Sequence, residues 1–350
     1  MRGFAVFLVF LVHYAAQADP WLDKGSNFYS FVTALHLVGN VGVDLFFVLS
    51  GYLIYGSLII RPQKFFSFIY RRVKRIYPAF IVVFLIYISL SFLFPAENKI
   101  PHSFFQGAEY LVANLLLLPG IARIEPIITV AWSLSYEMLY YLLIPLIISV
   151  LSLRQRTSLW RVCFFSAVAI GFLAYCAVYG GPFRLITFVA GILLFEILNN
   201  TRTRAPGSAL GLLVVAATLL IRSSPATSHL DDALKTLAVS SAFFIMCFSC
   251  FRYPSEWLAR SFSITPLRWF GNMSYSYYLI HGLALKGFFL VFSKIFIIAE
   301  KGPVFFFAMM TTSFIVSLTL PILLFLTVER PFSLASRSAQ LKATAFCQVT

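Results

Sequence analysis

A chain of 350 residues with 60% hydrophobic and 11% charged residues, and a mean hydropathy of +0.87, lies far outside soluble proteins, where about a quarter of residues are charged. The composition excludes a soluble domain and leaves a polytopic membrane protein. The formal net charge of +14 would suit a nucleic-acid binder, but Lys and Arg fall mostly in short loops between apolar runs. That pattern orients a chain in a bilayer, so membrane lipids are expected as partners and nucleic acid is not.

About 20 apolar residues span a bilayer as a helix. An all-α bundle of about ten spans is predicted, over 3–18, 38–60, 76–95, 131–151, 162–180, 183–199, 208–222, 234–251, 269–292 and 304–328. Residues 1–332 form one transmembrane domain, and 333–350 a short cytoplasmic tail. The basic loop from Arg61 to Arg75 holds no acidic residue and is expected inside. Counting from it places both termini inside, together with Arg154/Arg156/Arg161, Arg202/Arg204, Arg252/Arg260/Arg268 and Arg330/Arg337.

The first span carries Arg2 and His13, eleven residues apart and close to three whole turns, so both lie on one helix face. Their separation along the axis is roughly 16 Å. Only apolar residues and Gly3 stand between them. His13 is therefore the titratable group in mid-helix, and an imidazole accepts and returns a proton near neutral pH. A competing reading is a secretory signal peptide ending at Ala16-Gln-Ala18. Against it, His13 and Tyr14 interrupt the apolar core, and a further membrane segment follows.

The second span contains Gly42-Val-Asp-Leu-Phe-Phe-Val-Leu-Ser-Gly51, with Asp44 and Ser50 as polar candidates; a basic partner is the default for Asp44 and for Glu329. Arg71, Arg72 and Arg75 lie just before Pro78, at helical spacings that let their guanidinium groups converge. Such a cluster suits a bidentate grip on phosphate, while the alternative is an ordinary anchor to lipid headgroups. Residues 96–130 are read as an external loop with a short re-entrant or interfacial helix, because a further crossing would turn every later basic loop outward.

Trp132-Ser-Leu-Ser-Tyr-Glu137 opens the fourth span and Phe183-Arg184 the sixth, and a Glu137–Arg184 pair would offset the cost of either charge at membrane depth. Ser274-Tyr-Ser-Tyr-Tyr-Leu-Ile-His281 lines the ninth span, where Tyr277 and His281 are i,i+4 neighbours suited to a packing hydrogen bond. Trp21, Phe28, Tyr29 and Trp132 read as an interfacial aromatic belt, or as stacking platforms for sugar rings. Cys247-Phe-Ser-Cys250 has redox-like spacing but falls inside a span, where core packing is the simpler reading; no cluster with metal spacing is present.

Taken together, these motifs resemble the acyltransferase 3 family of membrane-integral O-acyltransferases, over nearly the whole chain and in the family's order. The resemblance rests on Arg2 with His13, the Gly42–Gly51 segment, Arg71 to Pro78, Trp132 to Glu137, Phe183-Arg184, Ser274 to His281, and Val328-Glu-Arg-Pro-Phe332. It implies transfer of an acyl group, usually acetyl, from cytoplasmic acyl-CoA to a glycan hydroxyl, with no bound cofactor. Arg2 and His13 would be the essential pair, and the Arg72–Arg75 element would engage the donor. The chain begins at the motif Arg itself, where family members usually carry a short preceding segment. It ends soon after the tenth span, without the esterase-like domain some members add.

On this reading the CoA phosphates dock at Arg71, Arg72 and Arg75, and the pantetheine arm brings the thioester towards His13, which deprotonates the acceptor hydroxyl. Transfer through an acyl-enzyme is the other route. Asp44, Ser50, Trp132, Glu137, Arg184 and His281 are secondary candidates. The acceptor is a glycan or a lipid-linked saccharide, and the rival function is a carrier or flippase for such a sugar. Carriers often show two related halves with broken helices, and no such symmetry is visible in this sequence.

Overall fold

A computed structural model describes residues 1–122, 124–200, 203–296 and 302–334. Arg202, Glu300, Arg337, Cys347 and most of the predicted tail lie outside these. Among the described residues every regular element is a helix, and all ten predicted stretches are helical. Eight helical stretches are long and apolar enough to cross a membrane: Arg2–Trp21, Asn27–Ile60, Phe65–Leu93, Ala131–Val150, Ser158–Tyr179, His229–Arg252, Ser274–Ile295 and Pro303–Ser333. The protein is a multi-pass membrane protein. The other two predicted spans, Leu185–Asn200 and Ser208–Arg222, are 16 and 15 residues long, short of the ~20 a straight crossing takes.

Helix α1 (Arg2–Ala18) is followed by α2 (Asn27–Gly39), an unforeseen helix that meets α3 (Gly42–Ile60) at a break over Asn40 and Val41. Helix α4 (Phe65–Leu93) starts well before the predicted third span and carries the arginine cluster on its first turns, with Pro78 inside it. Within 96–130 stands the expected short helix, α5 (Phe104–Leu115); its 12 residues reach about 18 Å, too little for a ~30 Å hydrocarbon core. Then come α6 (Ala131–Val150), α7 (Ser158–Tyr179), α8 (Leu185–Asn200), α9 (Ser208–Arg222), α10 (His229–Arg252) and the short α11 (Trp257–Ser261). The predicted ninth span is broken at Met273 into α12 (Thr265–Asn272) and α13 (Ser274–Ile295), and α14 (Pro303–Leu324) runs into a π-helical segment, Phe325–Leu334.

The chain forms two compact units, the first from residues 1–62, 144–274 and 285–315, the second from 63–143, 275–284 and 316 onward. In the first unit α1 packs on α2, α3 and α12, α3 packs on α8, and α10 packs on α7, α8 and α9. Apolar surface is no scarcer in lipid than in a neighbouring helix, so close approach must come from small residues. A methyl added at Gly51 would strike the Phe188 backbone, and one at Gly191 the Val48 carbonyl and the Gly51 Cα, so α3 and α8 cross glycine on glycine. Gly191→Val is expected to destabilise the fold by roughly 1–3 kcal/mol. Thermal unfolding in detergent reads this, and an unchanged midpoint would refute the crossing.

Beside that crossing, the buried Glu196 of α8 is saturated with donors. Arg161 gives Nε–H to Oε1 at 2.7 Å and Nη2–H to Oε2 at 2.9 Å; Ser158 and Asn200 reach Oε2 at 2.7 and 3.0 Å, and the Tyr55 hydroxyl donates to Oε1. Three helices, α3, α7 and α8, are thereby tied by one carboxylate. The end of α3 is closed from outside: Arg154 donates to the Leu58 carbonyl through Nε and Nη2, at 3.1 and 2.7 Å. Such terminal carbonyls have no partner within their own helix.

Trp21 corrects the aromatic-belt expectation. It is 2% exposed and lies among Phe289, Phe292 and Phe305, with ring centroids 6.5, 5.0 and 5.8 Å away. It is a core residue of the first unit. Cys247 and Cys250 are free thiols buried on α10, as the packing reading expected.

In the second unit α4 packs along the π-helical segment. The return from α5 is fixed by Asn114, whose Oδ1 accepts from the Ile127 N–H at 2.8 Å while Nδ2 donates to the Tyr110 carbonyl at 3.0 Å. Tyr77 of α4 donates to the Leu115 carbonyl at 3.1 Å, holding the end of α5.

Candidate active site

Arg2, His13, Asp44, Ser50 and Arg184 belong to the first unit; Arg71, Arg72, Arg75, Trp132, Glu137 and His281 belong to the second.

In the first unit α1 is a rigid carrier for its two polar residues. Ala5, Val6, Leu8, Val9 and Phe10 are buried, and Tyr14 donates to the Phe306 carbonyl at 2.5 Å. That bond fixes the turn next to His13, which is half-buried. The Arg2 end is pressed on α12, where a methyl at Gly271 would meet the Gly3 nitrogen and the Arg2 Cβ. His36 on α2 bears electrostatically on His13. The sequence reading overlooked His36, although a second histidine at membrane depth was a visible signal.

Asp44 stands in the first turn of α3, 4% exposed. Its cationic neighbour is Arg184, just ahead of α8, with Nε 3.8 Å from Oδ1. The expected basic partner of Asp44 is therefore present. Arg222 of α9 and Asp232 of α10, joined at 3.1 Å, complete the local charge distribution acting on Asp44. Ser50 is partly exposed, next to Gly51 at the α3–α8 crossing.

In the second unit four of the sequence motifs meet. The Arg72 guanidinium lies over the rings of Phe68 and Tyr141, 4.9 and 5.0 Å from their centroids, a cation–π arrangement that holds the side chain while leaving its N–H groups available. The Tyr141 hydroxyl donates to Glu137. Arg75, Glu137, Tyr141 and Glu329 all act electrostatically on Tyr275, whose hydroxyl donates to the Ile76 carbonyl at 2.8 Å. Arg71 is exposed and donates to Gln63.

Within their own units, Glu137 accepts from the Tyr141 hydroxyl and Arg184 lies beside Asp44. Glu329 accepts from the Ser276 N–H and hydroxyl, at 3.1 and 2.5 Å. A carboxylate at this depth is satisfied by a hydroxyl and a free helix-start N–H as well as by a cation.

His281 is buried, stacked on Tyr277 at 4.8 Å, with Nδ1 2.8 Å from the Tyr277 carbonyl and 3.1 Å from that of Tyr278. A carbonyl only accepts, so Nδ1 carries the proton and the ring is fixed by its own helix. That bond lies within one helix; the helix-packing bond is made by Tyr277, whose hydroxyl pairs with Ser317 of α14 at 2.8 Å. Ser133 on α6 and Tyr278 share a hydrogen bond at 2.6 Å, and Trp132 packs edge-on against Tyr136 at 5.6 Å. Among the described residues no group of three His, Cys, Asp or Glu side chains could hold a metal ion.

Residues 1–322 match the model of a family described as an acyltransferase domain. A candidate O-acetyltransferase of Staphylococcus aureus strain COL is 25% identical over 281 residues, covering 69% of this chain and 45% of its own. The peptidoglycan O-acetyltransferase of Listeria monocytogenes is 26% identical over 288 residues, 69% of this chain and 44% of its own. An acyltransferase of Streptomyces mycarofaciens is 27% identical over 318 residues, 82% of this chain and 78% of its own. The chain spans about half the length of the first two. No solved structure matches it.

Proposed function

The chain belongs to the acyltransferase domain family that its residues 1–322 match, and on that premise we propose that it transfers an acetyl group from acetyl-CoA to a glycan hydroxyl. The observation that carries this reading is the extent of the match, which takes in both His13 and the Arg71–Arg75 cluster. The activities for which the Staphylococcus and Listeria relatives are named, O-acetyl transfer and peptidoglycan O-acetylation, support it.

In the reaction the acceptor hydroxyl gives its proton to the imidazole of His13 while its oxygen attacks the thioester carbonyl. The C–S bond breaks, and the departing CoA thiolate takes up a proton, so the imidazole returns to its starting state. Arg72 and Arg75 hold the multiply charged phosphates of the donor, and Arg71 extends that basic surface. Arg2 binds the donor or steadies the far end of α1. The setting is a bacterial inner membrane, with the basic loops and both termini on the cytoplasmic side where the donor is made.

The test is glycan mass spectrometry on cells lacking the gene and complemented with it, together with acetyl-CoA consumption by the purified chain. An acetyl increment on the glycan with consumption of the donor supports the enzyme. Altered glycan export without any acetyl change would replace it with a carrier. Within this scheme Arg72→Ala removes one charge-assisted phosphate contact, worth about 1.5–3 kcal/mol. The KM for acetyl-CoA should rise by roughly 10- to 100-fold with a smaller change in kcat. A KM equal to wild type would remove Arg72 from the donor site.

A further inference from the structure

Among the described residues two carboxylates are buried in the first unit, Glu196 and Asp44, and the protein treats them differently. Glu196 accepts from five donor groups on Tyr55, Ser158, Arg161 and Asn200. The Asp44 side chain is just as deeply set, at 5% exposure, yet its Oδ1 has no hydrogen-bond donor among the described residues. Arg184 Nε, at 3.8 Å, offers charge but lies beyond hydrogen-bond reach. Leaving a buried charged oxygen so poorly satisfied costs about 1–3 kcal/mol or more.

A brace would close that gap. The other nearby base, Arg222 at the end of α9, is engaged by Asp232 in the first turn of α10. The cluster is also placed against the helix that bears His13, because a methyl at Gly42, two residues before Asp44, would strike the Ala5 carbonyl and Leu8 of α1.

Building on the acetyl-transfer reading, we propose that Asp44 and Arg184 form a subsite for the sugar acceptor. Asp44 accepts a hydrogen bond from one ring hydroxyl, and the Arg184 guanidinium donates to the oxygen on the neighbouring carbon. The class of group recognised is a pair of oxygens on adjacent ring carbons, as in a vicinal diol. Neither residue takes part in bond making; each binds and orients.

The test uses the purified full chain with acetyl-CoA and, as acceptor probe, the peptidoglycan disaccharide N-acetylglucosaminyl-N-acetylmuramic acid. D44N and R184K are compared with wild type; R184K keeps the charge beside Asp44, so it remains informative if D44N folds poorly. Both should raise the KM for the disaccharide about tenfold or more, the loss of one charge-assisted hydrogen bond, with the KM for acetyl-CoA within about twofold. Unchanged disaccharide KM values in a wild type that acetylates the probe overturn the subsite alone, and so does a fall in melting temperature with no change in that KM. A wild-type chain that leaves the disaccharide unmodified overturns the glycan reading and the subsite together.

Discussion

Replacing His13 by Gln is expected to lower acetyl transfer by about 10²- to 10⁴-fold, the usual worth of a positioned general base. Glutamine has comparable bulk and can still hydrogen-bond, but it cannot take the proton from the acceptor hydroxyl. The fold should survive, because α1 is held by its buried apolar face and by the Tyr14 bond to the Phe306 carbonyl. Initial rates at matched membrane abundance decide the matter. Transfer by His13→Gln at the wild-type rate would eliminate the base assignment, and a loss tracking protein abundance would make His13 a packing residue.

The second large effect concerns stability. Glu196→Ala strands Arg161, 11% exposed in its side chain, in a site built around a carboxylate, and breaking one partner of such a pair costs roughly 3–5 kcal/mol. Against a total stability of about 5–15 kcal/mol this is severe. The midpoint of thermal unfolding in detergent should fall sharply. Replacing both members, as Glu196→Met with Arg161→Met, should be milder than the single change, since no uncompensated charge is left behind. A single variant that melts with wild type would contradict the hub.

Helices were legible in the sequence and their partnerships were not. All ten apolar stretches are helical, and the basic cluster of Arg71 to Arg75 lies on a helix at the spacing that brings Arg72 and Arg75 together. The break at Asn40 and Val41 lies in Gly39-Asn-Val-Gly42, a turn-prone stretch whose signal the apolar runs on either side mask. Pairing across helices depends on how each helix is rotated. An apolar surface on all sides gives no periodicity from which rotation can be read. Hence the sequence shows that Asp44 needs a base without showing that it is Arg184, and it does not show that Glu329 meets Ser276. Glu196 was the avoidable miss: an acid inside the apolar run of α8 is expensive enough to demand an explanation at once. Trp21 failed for the opposite reason, since aromatics beside a loop look alike in sequence whether they face lipid or fill a core.

The arginine that closes α3 changes how the protein's positive surplus should be counted. Arg154 spends its Nε and one Nη on the Leu58 carbonyl, and Arg161 spends its donors on Glu196 and on the Leu153 and Arg156 carbonyls. These guanidinium groups work as masonry between helices. A survey that neutralised basic loops one by one to learn which way the chain is threaded would, at these two positions, report collapse of the fold and record it as a threading error.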